Sequence, residues 1–449
     1  FLLSASAALD CCIAQQPPPP PDLGTRKQGE DWPTFLGPNG NSRSSETGFQ
    51  MDWNQHPPKV LWDVEVGASY AICSISRGRC FVFDRVEDTA RLRCLNSETG
   101  KPLWQYTYPT KYEDMLGYNN GPRCAPITDG RLVYIFGVDG QLHCVKASDG
   151  KRVWAVDTAE DYGVVQNFFG VGSTPAIYND MLLVMIGGSP DESHGFGQME
   201  LDRVVGEDSG IVAFDRFTGK ERYRLTDELA SYASMVTARI NDRDWAFAFA
   251  RGGLVGFNPA NGKLDFRFPW RARILESVNA STPVIVGNEV LITETYGPGG
   301  CLLAVGPDGK NRVVWKDERG AKRSMAAHWN TPVHHKGYIY GSSGRHSQPA
   351  ELRCVDWKTG KVQWSKPGLA RASLLYVDGH LICLSENGVL RSIEATPEAY
   401  REKGKLEWAD ENGRALLRYP AWSAPILSHG LLYVRGNDRL VCAELTRSP

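Results

Sequence analysis

The chain carries no surplus of charge of either sign. Its 449 residues hold 50 Lys+Arg against 52 Asp+Glu. That balance argues against a general nucleic-acid binder, which usually shows a basic excess. No apolar run is long enough to span a bilayer as a helix. Long stretches with apolar residues at i, i+3, i+4 and i+7 between caps are also missing, which disfavours a helical domain. The chain contains no Gly-x-Ser-x-Gly nucleophile elbow, no His-Glu-x-x-His, no phosphate-cradling Gly-x-x-x-x-Gly-Lys-Ser/Thr and no Cys-x-x-Cys pair. Gly297-Pro298-Gly299-Gly300 reads as a turn, because no helix follows it.

A recurring phrase takes the place of these signatures. Gly100-Lys101 is followed three residues later by Trp104, Gly150-Lys151 by Trp154, Gly360-Lys361 by Trp364 and Gly404-Lys405 by Trp408. Looser copies run from Gly219-Lys220 to Tyr223 and from Gly262-Lys263 to Phe266, and Gly309-Lys310 reaches Trp315 with two extra residues. A spacing of roughly 40–70 residues is that of propeller blades or solenoid turns. Within a copy such as residues 125–156, extended apolar runs are broken by Asp129-Gly130, Asp139-Gly140 and Asp149-Gly150. Asp-Gly supplies the positive φ of tight hairpins, so each copy predicts a meander of four short strands.

The units begin near Gly67, Gly117, Phe168, Ala230, Ile274, Ser324, Leu369 and Ala415. The last stops without its Trp-bearing strand, and the segment around Trp62 is a Trp-bearing strand with nothing ahead of it. The fold expected is therefore all-β: an eight-bladed β-propeller of four-stranded antiparallel blades, its ring closed by the N-terminal strand completing the last blade. Cys94, Cys144, Cys354 and Cys442 share one repeat position, held elsewhere by Ala213, Gly256, Ala304 and Ser392. Smallness is the common property, so these are expected to be packing cysteines of the third strands rather than a disulfide framework.

The start of the chain, Phe1-Leu2-Leu3-Ser4-Ala5-Ser6-Ala7-Ala8, has the apolar and small residues of a secretory signal. Residues 1–14 are expected to be the remnant of a signal peptide and 15–30 a Pro-rich linker, with one propeller domain over 31–449. The protein is expected to be exported, periplasmic or secreted, in a bacterium.

The phrase Leu-x-Cys-x-Asx-x-x-Thr-Gly-Lys-x-x-Trp, seen in residues 92–104 and 352–364, resembles the pyrroloquinoline-quinone (PQQ)-like β-propeller repeat. Quinoprotein alcohol dehydrogenases have this repeat, as does the lipoprotein component of the outer-membrane barrel-assembly machinery. Asp31-Trp32-Pro33-Thr34-Phe35-Leu36-Gly37-Pro38 looks like the opening of exported propellers of planctomycete-type bacteria. The resemblance implies the fold and leaves the activity open, since sites are additions to a scaffold. The quinone enzymes would need a Glu, an Asn and an Asp around Ca²⁺, an aromatic floor and, in many members, adjacent cysteines. The only adjacent pair is Cys11-Cys12, and no Glu/Asn/Asp set aligns by motif. No catalytic residue and no metal ligand is assigned.

Loops leading into first strands gather at one mouth of a propeller, where binding residues are found. Here they offer Asn120, Arg123, Asn279, His328, Trp329, Asn330, Arg371 and Trp422 as a candidate ligand-binding ring. Arginines with aromatics suit a protein or a small polar ligand. Glu294, in a strand run, is expected to pair with a nearby arginine. His334-His335 is expected to be solvent-exposed, and the Gly/Ser-rich insertions 189–197 and 342–348 to decorate the rim. The function expected is a non-catalytic binding or scaffold propeller with no cofactor; the alternative is a PQQ- and Ca²⁺-dependent dehydrogenase. A sugar-active enzyme would need two carboxylates facing across a cleft, and no such pair is evident.

Overall fold

In a computed structural model, which describes residues 18–318 and 322–447, the turn signals become eight four-stranded antiparallel sheets. Seven are consecutive meanders. The first runs through Ser74–Ser76, Arg79–Val86, Thr89–Asn96 and Pro102–Pro109, and the seventh through Ala372–Val377, His380–Ser385, Leu390–Glu394 and Glu402–Leu406. The eighth takes Ile426–Ser428, Leu431–Arg435 and Arg439–Glu444 from the C-terminal end and Lys59–Glu65 from the N-terminal end. Trp62 pairs with Cys442 and Asp63 with Val441, so the ring closes as the two orphan segments imply. The expected signal remnant, residues 1–14, lies outside the described residues.

The repeated Trp and the repeated Gly are two halves of one joint. The Trp62 indole N–H donates to the Ser97 carbonyl of the next blade at 3.1 Å, that of Trp104 to Ala147 at 3.1 Å, that of Trp154 to Arg216 at 3.0 Å and that of Trp315 to Trp357 at 2.8 Å. The ring face lies on the next blade's turn glycine: a Cβ on Gly100 would stand 2.8 Å from Trp62, and one on Gly150 2.5 Å from Trp104. Both glycines have positive φ, at 70° and 72°. Each glycine thus bends its own blade and seats its neighbour's indole. Gly100→Ala is expected to cost about 1–2 kcal/mol for the left-handed backbone, plus the displacement of Trp62. Gly117→Ala separates the two terms, because Gly117 has φ of 71° and open space where the Cβ would go. The two variants' urea midpoints should differ, with Gly100→Ala the lower.

The repeat cysteines Cys94, Cys144, Cys354 and Cys442 are buried free thiols, each paired across the ladder with its blade's Trp. Two details depart from expectation, in blades five and seven. In blade five the residue facing Trp315 is Leu302, not Ala304, because the two extra residues of that turn shift the ladder. Blade four follows the expectation: Gly256, at the repeat-cysteine position, faces Phe266 across the ladder and lies under its ring. In blade seven Gly404 is no turn glycine. It sits within the fourth strand and pairs with Ser392, at the register position where other blades hold their indole. Trp53 from the N-terminal segment lies against Gly404, where a Cβ would come within 2.6 Å, and is buried in the core shared with Leu390.

That N-terminal segment also closes one end of the channel. Trp32 exchanges both backbone hydrogen bonds with Ile75, at 3.0 and 2.8 Å. Because the other edge of Ile75's strand is already paired, Trp32 must lie on the channel side. The Pro33 carbonyl takes Thr128 of blade two, Ser42 and Ser44 pair with Tyr376 of blade seven, and Arg43 donates to the His334 carbonyl of blade six. All of these sit toward the turns between first and second strands. The proposed Pro-rich linker is, from residue 18 on, laid against the same end: Arg77 and Arg79 donate to the Pro20 and Pro21 carbonyls, and His429 holds Asp31 at 3.1 Å. His334-His335, expected in solvent, is held here instead. His335 is buried and stacked on Tyr376 at 4.3 Å, and His334 meets Trp357 at 5.1 Å. First strands crowd the axis, so a residue one step from a turn is still packed by the neighbouring blade.

Candidate functional site at the open mouth of the ring

In an up-and-down meander, the loops leading into first strands and the turns between second and third strands lie at the same end. Here they meet at the end opposite the Trp32 cap. Four of the predicted residues converge there. The Arg371 guanidinium lies 4.2 Å from the Trp329 ring centroid and 5.4 Å from that of Trp422. Its Nη1 faces Nδ1 of His328 at 3.3 Å. The Trp329 indole N–H donates to the Trp422 carbonyl at 3.0 Å, and the two indoles are 4.8 Å apart. Ring contacts continue from Trp422 to Tyr118 at 6.3 Å, from Tyr118 to Phe169 at 5.7 Å and from Phe169 to Tyr232 at 5.5 Å. On the other side they pass through His328 to Tyr296 at 5.5 Å. The mouth is thus bridged by aromatic side chains from most of the ring.

The other four predicted residues do different work. Asn330 is buried and donates to the Ser342 carbonyl at 2.9 Å. Asn279 is buried and donates to the carbonyls of Ala250 at 2.7 Å and Trp270 at 3.1 Å. Asn120 accepts from the Asp114 N–H at 2.9 Å. Arg123 pairs with Asp114 at 2.6 Å and lies 5.6 Å from the Tyr70 ring centroid. Since Tyr70 stands 4.8 Å from Trp422, the Arg123 lock abuts the aromatic bridge.

Sequence reasoning passed over the group that organises this mouth. Glu386, in the turn after the second strand of blade seven, is fully buried. Its carboxylate accepts from Arg371 Nη2 at 2.6 Å and Nε at 3.1 Å, and from the Trp422 indole N–H at 3.1 Å. Burial alone would raise its pKa, but Arg371, Ser347 and Trp422 outweigh it and hold the carboxyl below its usual value. No motif marks Glu386; a charged residue just past an apolar strand reads as solvated turn. Glu294 ends the second strand of blade five and, among the described residues, forms no salt bridge with an arginine, though the charge of Arg323 acts on it. Its carboxylate takes the backbone N–H groups of Tyr296 at 2.8 Å and Gly297 at 2.7 Å, while burial pushes its pKa up.

His328 is driven the other way. Burial, with the charges of Arg371 and Arg345, lowers its pKa to about 3. A histidine that protonates less readily folded than unfolded contributes stability above its unfolded pKa of 6.5, lost as pH falls below that value. The imidazole therefore stays neutral and accepts or donates to Tyr296, 2.9 Å away. An ¹⁵N NMR titration should show no His328 inflection between pH 8 and 4, and an inflection near 6 would contradict this environment.

The rim insertions are more than decoration. Arg345 stacks 4.5 Å from the Tyr296 ring centroid and its carbonyl takes Arg371. The 189–197 stretch leads into the short helix Gln198–Arg203, whose Leu201 is buried beside Phe168.

The Glu386 carboxylate is committed to Arg371 and Trp422. Among the described residues no three His, Cys, Asp or Glu side chains stand together as ligands.

Residues 53–191 and 88–366 match the family model described as outer membrane protein assembly factor BamB. The BamB of Burkholderia pseudomallei is 23% identical over 232 residues, 45% of this chain and 57% of that protein. The dehydrogenase subunit of the quinone alcohol dehydrogenase of Komagataeibacter europaeus is 28% identical over 138 residues, 30% of this chain and 17% of that protein. The chain therefore spans less than two thirds of these relatives. Among solved structures, BamB from Moraxella catarrhalis is similar with a TM-score of 0.55 at 11% identity, covering 87% of this chain and 98% of that one. The quinohemoprotein alcohol dehydrogenase of Comamonas testosteroni gives 0.52 at 13%, covering 94% and 82%. At such identities the likeness is one of fold.

Proposed function

We propose, from the premise that the chain belongs to the PQQ-like β-propeller family of the outer membrane protein assembly factor BamB, that it is an exported scaffold that binds a protein at its aromatic mouth. The observation that carries this reading is the placement of exposed apolar side chains. Tyr118 and Tyr419 are 58% and 53% exposed and flank Trp422, at 6.3 and 6.1 Å between rings. Met115 and Leu116, on the loop that carries Tyr118, are exposed as well. Solvent-facing aromatics around a partly buried tryptophan and arginine are the makings of an interface anchor. The match to a family described by an outer-membrane assembly factor agrees with both a protein partner and export. Among the described residues no helix is long and apolar enough to cross a membrane.

The test is site-specific photo-crosslinking in cells. A crosslinker at position 118 or 419 should capture a discrete protein band, and one at Lys336 or Asp378, at the capped end, should not. Equal capture from both ends would defeat the assignment. The dehydrogenase reading has its own check: protein incubated with the quinone and Ca²⁺ and then desalted should show an unchanged absorption spectrum. Retained quinone would favour the enzyme.

A further inference from the structure

A second concavity lies off the axis, and the mouth does not use it. The loops leading into blades three and four and the turns after the second strands of blades two to four surround a cavity of about 270 Å³. Its walls are mostly aliphatic, among them Val138, Val171, Met185, Ile186, Leu201 and Val204. Leu201 and Val204 belong to the long excursion between the second and third strands of blade three, so that excursion roofs the space. An apolar cavity of about 150 Å³ holds a six-carbon ring, so this one suits a molecule of about ten heavy atoms.

Its two charged groups, Arg251 and Asp139, come from different blades. Arg251, on the blade-four side, is 5% exposed. Its Nη2 reaches Asp202 Oδ1 at 3.1 Å, and Arg271 Nη2 reaches the same oxygen at 2.5 Å. Two guanidinium groups thus share one carboxylate on the blade-four side of the wall. Asp139, on the blade-two side, already accepts from the Tyr108 hydroxyl and the Gln141 N–H. Ser173 also lines the wall, is 1% exposed, and its hydroxyl has no hydrogen-bond partner. A buried hydroxyl without a partner is costly unless something meets it, and a buried arginine that shares its carboxylate is a ready donor to an anion.

We infer that this cavity is a binding site for a small amphipathic monocarboxylate, whose aliphatic body fills the space between Val171 and Leu201 and whose carboxylate is held by Arg251. Ser173 is the second donor available to it. The site is separate from the aromatic mouth, so it stands or falls independently of the protein-binding reading.

Calorimetry on the full chain tests it with octanoate, octanol and octylammonium as probes. Octanoate should bind saturably, one per chain, and at least about tenfold more tightly than either probe lacking the negative charge. Arg251→Gln should weaken octanoate at least about tenfold and leave octanol unchanged, and Val171→Phe, which fills the cavity, should abolish both. Octanol binding as tightly as octanoate would overturn the carboxylate assignment, as would no saturable binding at all. Octanoate binding untouched by Val171→Phe would place the ligand elsewhere and overturn the site. A peptide with a C-terminal leucine that binds more tightly than octanoate and displaces it would overturn the small-molecule class. The comparison of probes on the unaltered protein decides the matter even if Arg251→Gln fails to fold.

Discussion

Replacing Arg371 by methionine is expected to destabilise the protein by about 3–5 kcal/mol at pH 7, the cost of stranding a buried carboxylate. Glu386 is fully buried and its partners are Arg371, the Trp422 indole and Ser347. Without the guanidinium only neutral donors remain. The same arginine stacks on Trp329 and Trp422, so its loss loosens the aromatic bridge as well as the charge pair. Adding Glu386→Leu should regain most of the loss, since an apolar replacement of both partners removes the stranded charge. The sign of the pH dependence follows. In the native protein the folded pKa of Glu386 lies below 4.5, so its contribution is present above that value and is lost as pH falls through the folded pKa. In Arg371→Met burial acts unopposed by the arginine and raises the pKa, so the penalty shrinks as the medium is made more acid. Denaturant unfolding of the single and double variants at two pH values measures all of this. A loss below about 1 kcal/mol, typical of an exposed ion pair, would mean that water already reaches Glu386.

The second large effect is expected at Trp62. Truncation to alanine should cost about 3–5 kcal/mol, the range for a large buried aromatic, and should act differently from the same change at Trp154. Both indoles seat on the next blade's glycine and donate to its carbonyl. Trp62, however, lies in the strand that joins the two ends of the chain and also packs edge-on to Tyr433 at 5.9 Å. Loss of Trp154 weakens a joint that the chain crosses covalently. Loss of Trp62 also loosens the ladder between Lys59–Glu65 and Arg439–Glu444, a strand pairing inside blade eight that no turn connects. Native-state hydrogen exchange should therefore show Trp62→Ala releasing blades eight and one below the global transition, with Trp154→Ala unfolding as one unit. Uniform protection in both variants would refute the distinction.

The repeat was legible because its job is local. Asp-Gly pairs and a Gly-Lys-x-x-Trp spacing encode turns that form wherever the phrase occurs, and eight such units leave few architectures. The phrase misled where backbone context differs. Gly404-Lys405 has the right letters, but Gly404 lies inside a strand, and the indole for that joint is Trp53, from a segment distant in sequence. At the mouth, Arg371, His328, Trp329 and Trp422 could be found because their loops precede first strands. Glu386 could not, because a lone acid after an apolar strand carries no periodic mark and acquires its role from partners brought by two other loops. His335 was misjudged for a related reason. Its burial comes from Tyr376 of the neighbouring blade, which a within-repeat reading does not see.

The pairing of Lys59–Glu65 with Arg439–Glu444 sets a condition on assembly. The first of these strands is made before the other seven sheets and its ladder partner after them, so seven sheets can be complete while the eighth still offers a bare edge. In refolding at high concentration the same early strand from a second molecule meets that edge equally well. Exchange of this segment between copies is thus the characteristic way for the protein to misassemble, and dilution is the remedy.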